Sequence, residues 1–288
     1  MTEGIPETWP HAGVSRFVTG PVHRWHVQET GAGDDLLLLH GAGGSTHSFR
    51  HMIPLLAQSF RVIALDLPGH GFTKLGARHR SGLSQMATDI TALARQEGWT
   101  PRAIVGHSSG AAVALRMARH DLSDTPPHVI GLNAALEEFS GLARLLFPVM
   151  AKALSLLPGV SALFSGTASN PARVAALLEA TGSKIDAAGV ALYRDLVARR
   201  AHVDGTLMMM AQWNLRPLLA DLPNHHAPVD FIVGSADTTV PPDVSKRAAQ
   251  RMPYARIHCF EGLGHLSHEE KPDQTAQLIT DILTQQMA

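Results

Sequence analysis

The sequence predicts an α/β fold: a mostly parallel, eight-stranded sheet with helices on both faces and an inserted helical segment. Two observations carry this prediction. Short apolar runs alternate with segments whose apolar residues recur at helical spacing, and such alternation produces parallel strands joined by right-handed crossovers. One long stretch in the middle of the chain lacks any β-rich run. With 288 residues, of which 45% are hydrophobic, the chain is long enough to bury a sheet on both faces.

The chain begins with a predicted β-hairpin, because Gly20 and Pro21 separate two short runs of strand-forming residues. Later strands are brief apolar runs, and the helices between them are longer segments with a period of about 3.6 residues. The predicted strands are 14–18, 22–28, 36–39, 61–65, 103–105, 129–132, 229–233 and 256–260, and the predicted helices of the first half are 47–58, 84–97 and 110–119.

Residues 135–220 interrupt this alternation. Leu, Ala and Met recur there at helical spacing, and charges are sparse. We therefore expect residues 1–134 to form the first part of an α/β core, 135–220 to form a helical cap, and 221–288 to complete the core.

A tight turn is predicted at Gly106-His107-Ser108-Ser109-Gly110, which lies directly between an apolar strand and a helix. Glycines two residues either side of Ser108 allow a turn so sharp that the serine takes strained backbone angles. This is the pattern of a nucleophile elbow, with Ser108 exposed at the end of the sheet. The alternative interpretation is an ordinary turn, since Gly and Ser are common turn residues.

A nucleophilic serine needs a histidine base and a carboxylate that orients the base. Asp237 follows a predicted strand, and His265 lies in a loop after the next one, so the order along the chain is Ser, acid, His. Side chains at the carboxyl ends of parallel strands meet at one edge of the sheet. We expect Ser108, Asp237 and His265 to be catalytic, and we keep Asp66 as the alternative acid.

The glycine-rich turn after the strand 36–39 is the expected oxyanion hole, because its backbone N–H groups can approach a tetrahedral oxyanion closely. We assign the two donors to Ala42 and Ser109, with Gly43 as the open alternative to Ala42. A phosphate-binding loop is the competing interpretation, but no Gly-Lys-Ser/Thr follows the turn.

These motifs together resemble the α/β-hydrolase superfamily, and the resemblance covers nearly the whole chain. It implies the α/β-hydrolase fold and a serine nucleophile. The matching segments, in order, are His-Gly-Ala-Gly at 40–43, Asp-Leu-Pro-Gly-His-Gly at 66–71, the turn at 106–110, the Asp237 turn and Gly264-His265.

A narrower resemblance is to the magnesium-chelatase accessory proteins of bacteriochlorophyll biosynthesis. It rests on Val-His-Arg-Trp-His-Val at 22–27, on residues 66–73 and on Asn-Ala-Ala-Leu at 133–136. This resemblance implies a tetrapyrrole pathway and association with magnesium chelatase, and it does not specify a reaction.

The predicted cap lies over the catalytic edge and is rich in Leu and Met, which adapt to bulky apolar ligands. We expect a substrate pocket lined by His107, Phe139, Met209 and Trp213. Ordinary packing of cap helices on the core is the alternative explanation for these apolar residues.

Composition excludes several classes of function. A net charge of −1 offers no footprint for nucleic acid. Seventeen histidines show no metal-binding spacing, so no metal and no cofactor are expected. The single cysteine, Cys259, lies in an apolar strand and is expected to be buried. With no signal sequence or long apolar span, we expect a cytoplasmic protein with at most peripheral membrane contact.

The sequence therefore predicts a serine hydrolase acting on an ester or related carbonyl bond of a bulky apolar substrate. The resemblance to the chelatase accessory proteins implies that this substrate belongs to tetrapyrrole (bacteriochlorophyll) biosynthesis. The alternative is a binding or chelatase accessory protein that keeps the fold without turnover. C–C cleavage, perhydrolysis, the leaving group and the oligomeric state are left open.

Overall fold

An eight-stranded sheet forms the centre of the molecule. A computed structural model of the chain describes residues 4–119, 125–138 and 170–285. The strands lie in the order β1-β2-β4-β3-β5-β6-β7-β8, with β1 and β2 antiparallel to their neighbours and the other pairs parallel. Their bounds are β1 Ser15–Thr19, β2 Arg24–Thr30, β3 Asp35–Leu39, β4 Arg61–Leu65, β5 Ala103–His107, β6 His128–Leu132, β7 Val229–Gly234 and β8 Ala255–Phe260.

Helices cover both faces of the sheet. In chain order, the described α-helices are α1 Met52–Leu56, α2 Leu83–Glu97, α3 Ser109–Met117, α4 Pro171–Glu179, α5 Ala187–Val197, α6 Arg200–Gln212, α7 Arg216–Asp221, α8 Pro242–Ala249, α9 Ser267–Glu270 and α10 Pro272–Gln285. Short 3₁₀ helices occupy Ala12–Val14, Thr46–Phe49, Arg78–Arg80 and Leu222–Asn224.

The leucine run of β3 shows why the sheet is buried on both faces. Alternate side chains of a strand point to opposite faces. Leu37 and Leu39 pack in one apolar cluster with residues of α2 and α3, whereas Leu36 and Leu38 pack in a second cluster with residues of α1 and α10. All four leucines are fully buried, so a continuous apolar run suits this central strand.

The predicted fold class is confirmed, including the eight strands and their mostly parallel arrangement. The predicted helix 47–58 is wrong in its extent: a 3₁₀ turn at Thr46–Phe49 precedes a short α1 that begins at Met52. Pro54 lacks an amide hydrogen and is tolerated only in the first turn of a helix, so α1 cannot begin as early as the periodicity suggests.

The expectation that Cys259 is buried is wrong, because its side chain is exposed. Its strand, β8, is the last in the order of the described sheet and pairs with β7. A strand at the edge is only partly covered, so several β8 side chains face solvent even where the sequence is apolar.

Between β6 and β7 the described residues from 170 onward form α4, α5, α6 and α7, and these four helices are called the cap below. Helix α6 approaches the core so closely that Gly205 touches the backbone of Gly69, and a Cβ atom on either glycine would overlap the other residue. Phe139 lies outside the described residues. In the part of the chain that is described, no helix is long and apolar enough to cross a membrane.

Candidate active site

Ser108 lies at the junction of β5 and α3 with strained backbone angles, φ 52° and ψ −116°. A non-glycine residue rarely adopts a positive φ, and such strain persists only where the surrounding structure enforces it. The Ser108 amide donates to the Leu132 carbonyl at 2.9 Å, and its own carbonyl accepts from Ala111 and Ala135, each at 3.1 Å. These bonds hold the serine at the end of the sheet.

The two glycines of this turn are required by close backbone contacts. A Cβ atom on Gly106 would overlap the carbonyl oxygen of Gly110, and one on Gly110 would overlap the carbonyl oxygens of Leu39 and His40. The turn therefore packs directly against the end of β3 and against itself. The sequence pattern around Ser108 thus has the geometry of a nucleophile elbow.

Asp237 lies just beyond the end of β7, where its carboxylate is buried and fully hydrogen-bonded. Its Oδ1 accepts the amides of Thr239 and Val240, each at 2.8 Å. Its Oδ2 accepts His265 Nδ1–H at 2.7 Å and the Asn133 side-chain amide at 2.8 Å. Four donors therefore fix the carboxylate, and the carboxylate fixes the imidazole of His265.

His265 is held between the Asp237 loop and the cap. Its backbone amide donates to the carbonyl of Thr181 at 3.2 Å, and the next amide, that of Leu266, donates to the Ser183 hydroxyl at 2.8 Å. Because Nδ1–H faces Asp237, the opposite nitrogen, Nε2, is the one free to accept a proton. No sequence pattern indicated that the segment after α4 helps to position this histidine.

Ser108 and His265 line the same cavity, which has a volume of about 660 Å³. In the described part of the chain no hydrogen bond joins the Ser108 hydroxyl to His265. Catalytic hydrogen bonds are often long before substrate binds. The shared cavity, and not a direct hydrogen bond, is therefore what relates Ser108 to His265 here. The three residues predicted to be catalytic thus come together at one edge of the sheet.

Ala42 and Ser109, the predicted oxyanion donors, lie side by side on the wall of this cavity. The Ala42 amide donates to the Ser109 hydroxyl at 2.9 Å. Gly43, the alternative donor, has φ 74°, and its carbonyl accepts from His202 of α6 at 3.2 Å. The loop after β3 is therefore held on one side by α3 and on the other by the cap.

The residues predicted to line the substrate pocket can be placed with one exception. His107, Met209 and Trp213 all line the cavity, whereas Phe139 falls outside the described residues. The His107 ring donates through Nε2 to the carbonyl of His265 at 3.0 Å, and burial lowers the pKa of His107 well below its usual value. A neutral, hydrogen-bonded imidazole suits a wall residue better than a base.

Comparison with known proteins identifies the family of this chain. The model of the alpha/beta hydrolase family matches residues 36–278. This chain belongs to the alpha/beta hydrolase family. It is also 46% identical to the magnesium-chelatase 30 kDa subunit of Rhodobacter capsulatus, over 97% of this chain and 98% of that protein. The narrower resemblance inferred from the sequence is confirmed by this match.

Other alpha/beta hydrolases match less strongly. A 2-hydroxy-6-oxononadienedioate/2-hydroxy-6-oxononatrienedioate hydrolase of Cupriavidus pinatubonensis is 28% identical over 94% of this chain and 96% of that protein. An esterase of Exiguobacterium antarcticum superposes with a TM-score of 0.75 at 18% identity, over 93% of this chain and 98% of that one. The structural likeness concerns the fold alone.

Asp66, the alternative acid, lies away from the cavity and forms a buried contact between loops of this alpha/beta hydrolase. It is fully buried and accepts His26 Nδ1–H at 2.7 Å, the Thr46 amide at 2.7 Å and the Phe72 amide at 2.8 Å. Burial alone would raise the pKa of Asp66, but His26, His40 and the Phe72 amide hold that pKa well below its usual range. The carboxylate joins two loops and does not line the cavity.

A buried ion pair that the sequence analysis missed connects the cap to the core. Glu269 of α9 accepts a hydrogen bond from Tyr193 of α5 at 2.7 Å and pairs with Arg50, which also contacts Asp186 at 3.3 Å. Burial raises the pKa of Glu269, although Arg50 opposes that rise. These partners are far apart in sequence, so only the folded chain reveals the cluster.

Sequence reasoning also overlooked Asn133, which was noted only as part of a resembling segment. It follows β6 with φ 46°, donates to Asp237 and accepts the Ser267 hydroxyl at 2.7 Å. A sequence pattern could have identified Asn133, because it is an asparagine at the carboxyl end of a parallel strand, where site residues collect.

Within the described residues, no cluster of His, Cys, Asp or Glu is arranged to hold a metal ion.

Proposed function

We propose that this chain is an accessory protein of magnesium chelatase that holds a bulky apolar tetrapyrrole beneath its helical cap. The observation that carries the proposal is the 46% identity, over nearly the full length of both chains, to a protein named as a magnesium-chelatase subunit. Sequence similarity of this extent supports a shared partner. It leaves the chemistry in the cavity to be argued from the site.

The cavity supports an apolar ligand of substantial size. Its volume of about 660 Å³ is typical of sites that enclose small organic molecules. Apolar side chains dominate its walls, among them Leu178, Met209, Met210, Trp213, Leu215 and Val240.

Two acidic residues, Glu137 and Glu138, also line the cavity. They pair with Arg247 at 2.6 Å and Arg216 at 2.9 Å, so their charges are already matched by basic partners. A free carboxylate on the ligand would face these two acids. The described wall residues include no Lys or Arg side chain that could pair with it. An esterified tetrapyrrole therefore suits this cavity better than the corresponding acid.

A titration tests this ligand class. Of the four tryptophans, Trp213 lines the cavity, so its fluorescence should be quenched when protoporphyrin IX dimethyl ester binds. We expect saturable quenching with a Kd of about 1 μM or lower. The diacid should bind more weakly, and Trp213→Phe should remove most of the signal. Absence of saturable quenching by either porphyrin would refute the ligand proposal.

The chelatase association needs its own experiment. Purified magnesium chelatase should change its rate of magnesium insertion when this chain is added, and the two should co-elute in size-exclusion chromatography. Met209→Lys, which places a charge in the apolar wall, should reduce the effect if the ligand mediates it. No co-elution together with an unchanged rate would count against an accessory role.

Hydrolysis by a serine nucleophile is the second candidate, and the His265–Asp237 hydrogen bond of 2.7 Å beside the strained Ser108 favours it. In this proposal the Ser108 oxygen attacks a carbonyl carbon while His265 Nε2 takes the serine proton and later returns it to the leaving group. Asp237 orients the imidazole and stabilises its positive charge. The amides of Ala42 and Ser109 would stabilise the oxyanion.

A fluorophosphonate probe separates the two candidates before any substrate is known. We expect one covalent adduct, located on Ser108 by mass spectrometry. Ser108→Ala should abolish labelling, whereas Ser81→Ala should not, because Ser81 is a buried serine that does not line the cavity. Porphyrin binding without any adduct would leave the accessory role alone, and an adduct on Ser109 would refute the assignment of the nucleophile.

A further inference from the structure

The Ala42 amide, which an oxyanion would need as a donor, already donates to the Ser109 hydroxyl. Ala42 has a single N–H group, and that group donates to Ser109 Oγ at 2.9 Å, a normal hydrogen-bond length. Ser109 is almost completely buried, and both residues form part of the cavity wall beside Ser108. One of the two expected oxyanion donors therefore already has a hydrogen-bond partner in this structure.

We propose that Ser109 is a positioning residue that closes the oxyanion hole until substrate arrives. The inference rests on the second candidate function, serine hydrolysis, and adds to it a residue that restrains the reaction. Ser109 contributes twice and in opposite directions. Its backbone N–H, at the first position of α3, has no partner within the helix and can donate to an oxyanion, whereas its side chain withholds the Ala42 amide.

In the proposed step, the Ser108 oxygen bonds to the carbonyl carbon while the serine proton passes to His265 Nε2. The electron pair of the C=O π bond moves onto the carbonyl oxygen. That oxygen accepts the Ser109 amide and, once the Ser109 side chain rotates away, the Ala42 amide. Collapse of the intermediate reforms the carbonyl, expels the leaving group and transfers the proton from His265 to it.

The closed hole predicts a specific gain of reactivity. Because one neutral hydrogen bond must break before the Ala42 amide can act, Ser109→Ala should react with a fluorophosphonate about threefold to tenfold faster than the natural protein. Ser109→Thr, which keeps a hydroxyl but adds a methyl group to the cavity wall, should not show this gain of reactivity. Ser81→Ala controls for loss of a buried hydroxyl, since the Ser81 oxygen also lies buried but outside the cavity.

Amide hydrogen exchange supplies a measurement that does not depend on catalysis. The Ala42 amide should be protected in the natural protein and in Ser109→Thr, and should exchange at least several-fold faster in Ser109→Ala. Faster exchange together with faster labelling supports the proposal.

The contrary outcomes are distinct. If the natural protein is labelled and Ser109→Ala is labelled at the same rate or more slowly, the hydroxyl does not close the hole, and a slower rate would mean that it donates to the oxyanion itself. If Ala42 exchange is unchanged, the hydrogen bond is absent in solution and the proposal falls. If no variant is labelled, the hydrolase candidate itself fails, and with it any catalytic role for Ser109.

Discussion

Two buried aspartate–histidine pairs in this protein have nearly the same local geometry and very different surroundings. Asp237–His265 and Asp66–His26 both place Nδ1 2.7 Å from a carboxylate oxygen, and both carboxylates also accept two backbone amides. The His26 side chain is 0% exposed, whereas that of His265 is 8% exposed and borders the cavity. A carboxylate can orient an imidazole anywhere in a protein. Access to a cavity that also holds a strained serine distinguishes the Asp237–His265 pair, and this difference is why the hydrolase proposal assigns chemistry to that pair alone.

The largest effect should come from Asp237→Asn. The amide would favour the wrong imidazole tautomer, so reaction of Ser108 with a fluorophosphonate or an ester should fall about 10⁴-fold while the fold is retained. The rate of labelling measures this loss, and circular dichroism checks the fold. A loss of less than tenfold would mean that another group orients His265.

Asp66→Asn should have the opposite pattern of effects, with a large loss of stability and little change in the labelling of Ser108. Removing the charge from a buried, paired carboxylate should lower the free energy of unfolding by about 3–5 kcal/mol. Labelling of Ser108 in the folded fraction should stay close to that of the natural protein, because Asp66 does not reach the cavity. Urea unfolding at neutral pH gives the stability. A stable variant with slow labelling would reverse the roles assigned to the two aspartates.

The Asp66–His26 pair should also make the stability of the protein depend on pH in acid. Because the folded-state pKa of Asp66 lies below its unfolded value of 3.8, its contribution to stability is complete above about pH 4 and is lost as pH falls further.

A histidine of the cap should add pH dependence at milder acidity. Burial, followed by the nearby His40, lowers the pKa of His202 to about 4, and His202 Nδ1 accepts the Gly71 amide at 3.0 Å. Below pH 6.5 the unfolded chain binds a proton that the folded chain refuses, so stability falls as pH falls toward 4. His202→Gln should reduce this slope by up to about 1.4 kcal/mol per pH unit, measured by urea unfolding between pH 7 and pH 4.5. An unchanged slope would show that His202 is not held neutral.

The smallest effect is expected at a third pair, His23–Asp89, where the two side chains are 3.1 Å apart. Asp89 also binds Arg80, so its charge keeps a partner when the histidine is removed. His23→Gln should therefore cost only about 1 kcal/mol of unfolding free energy. A cost as large as that of Asp66→Asn would show that the second partner does not compensate.

The sequence was sufficient for the features that depend on local pattern. The strands, the turn at Ser108 and the placement of Asp237 and His265 beyond strand ends follow from periodicity, glycine spacing and chain order. Pairings such as Asp66–His26 and Glu269–Tyr193 could not be predicted, because they join residues remote in sequence whose approach depends on loop paths. The exposure of Cys259 was missed for a related reason: an apolar strand at the edge of a sheet reads like one at its centre.

The hydrogen bond between Ala42 and Ser109 illustrates the remaining limit. Placing both residues near the nucleophile required only the motifs, but whether the hydroxyl turns toward the amide is a choice of side-chain rotamer. No pattern in the sequence encodes that choice directly.

The contact between Gly69 and Gly205 has an evolutionary consequence. Neither position can gain a side chain without pushing helix α6 away from the loop after β4, so a substitution at one cannot be tolerated until the helix has moved. Selection should therefore remove substitutions at both positions, even though neither glycine touches Ser108, Asp237 or His265. Among descendants of this protein, we expect the two glycines to be inherited together, and to be lost together in lineages whose cap has been replaced.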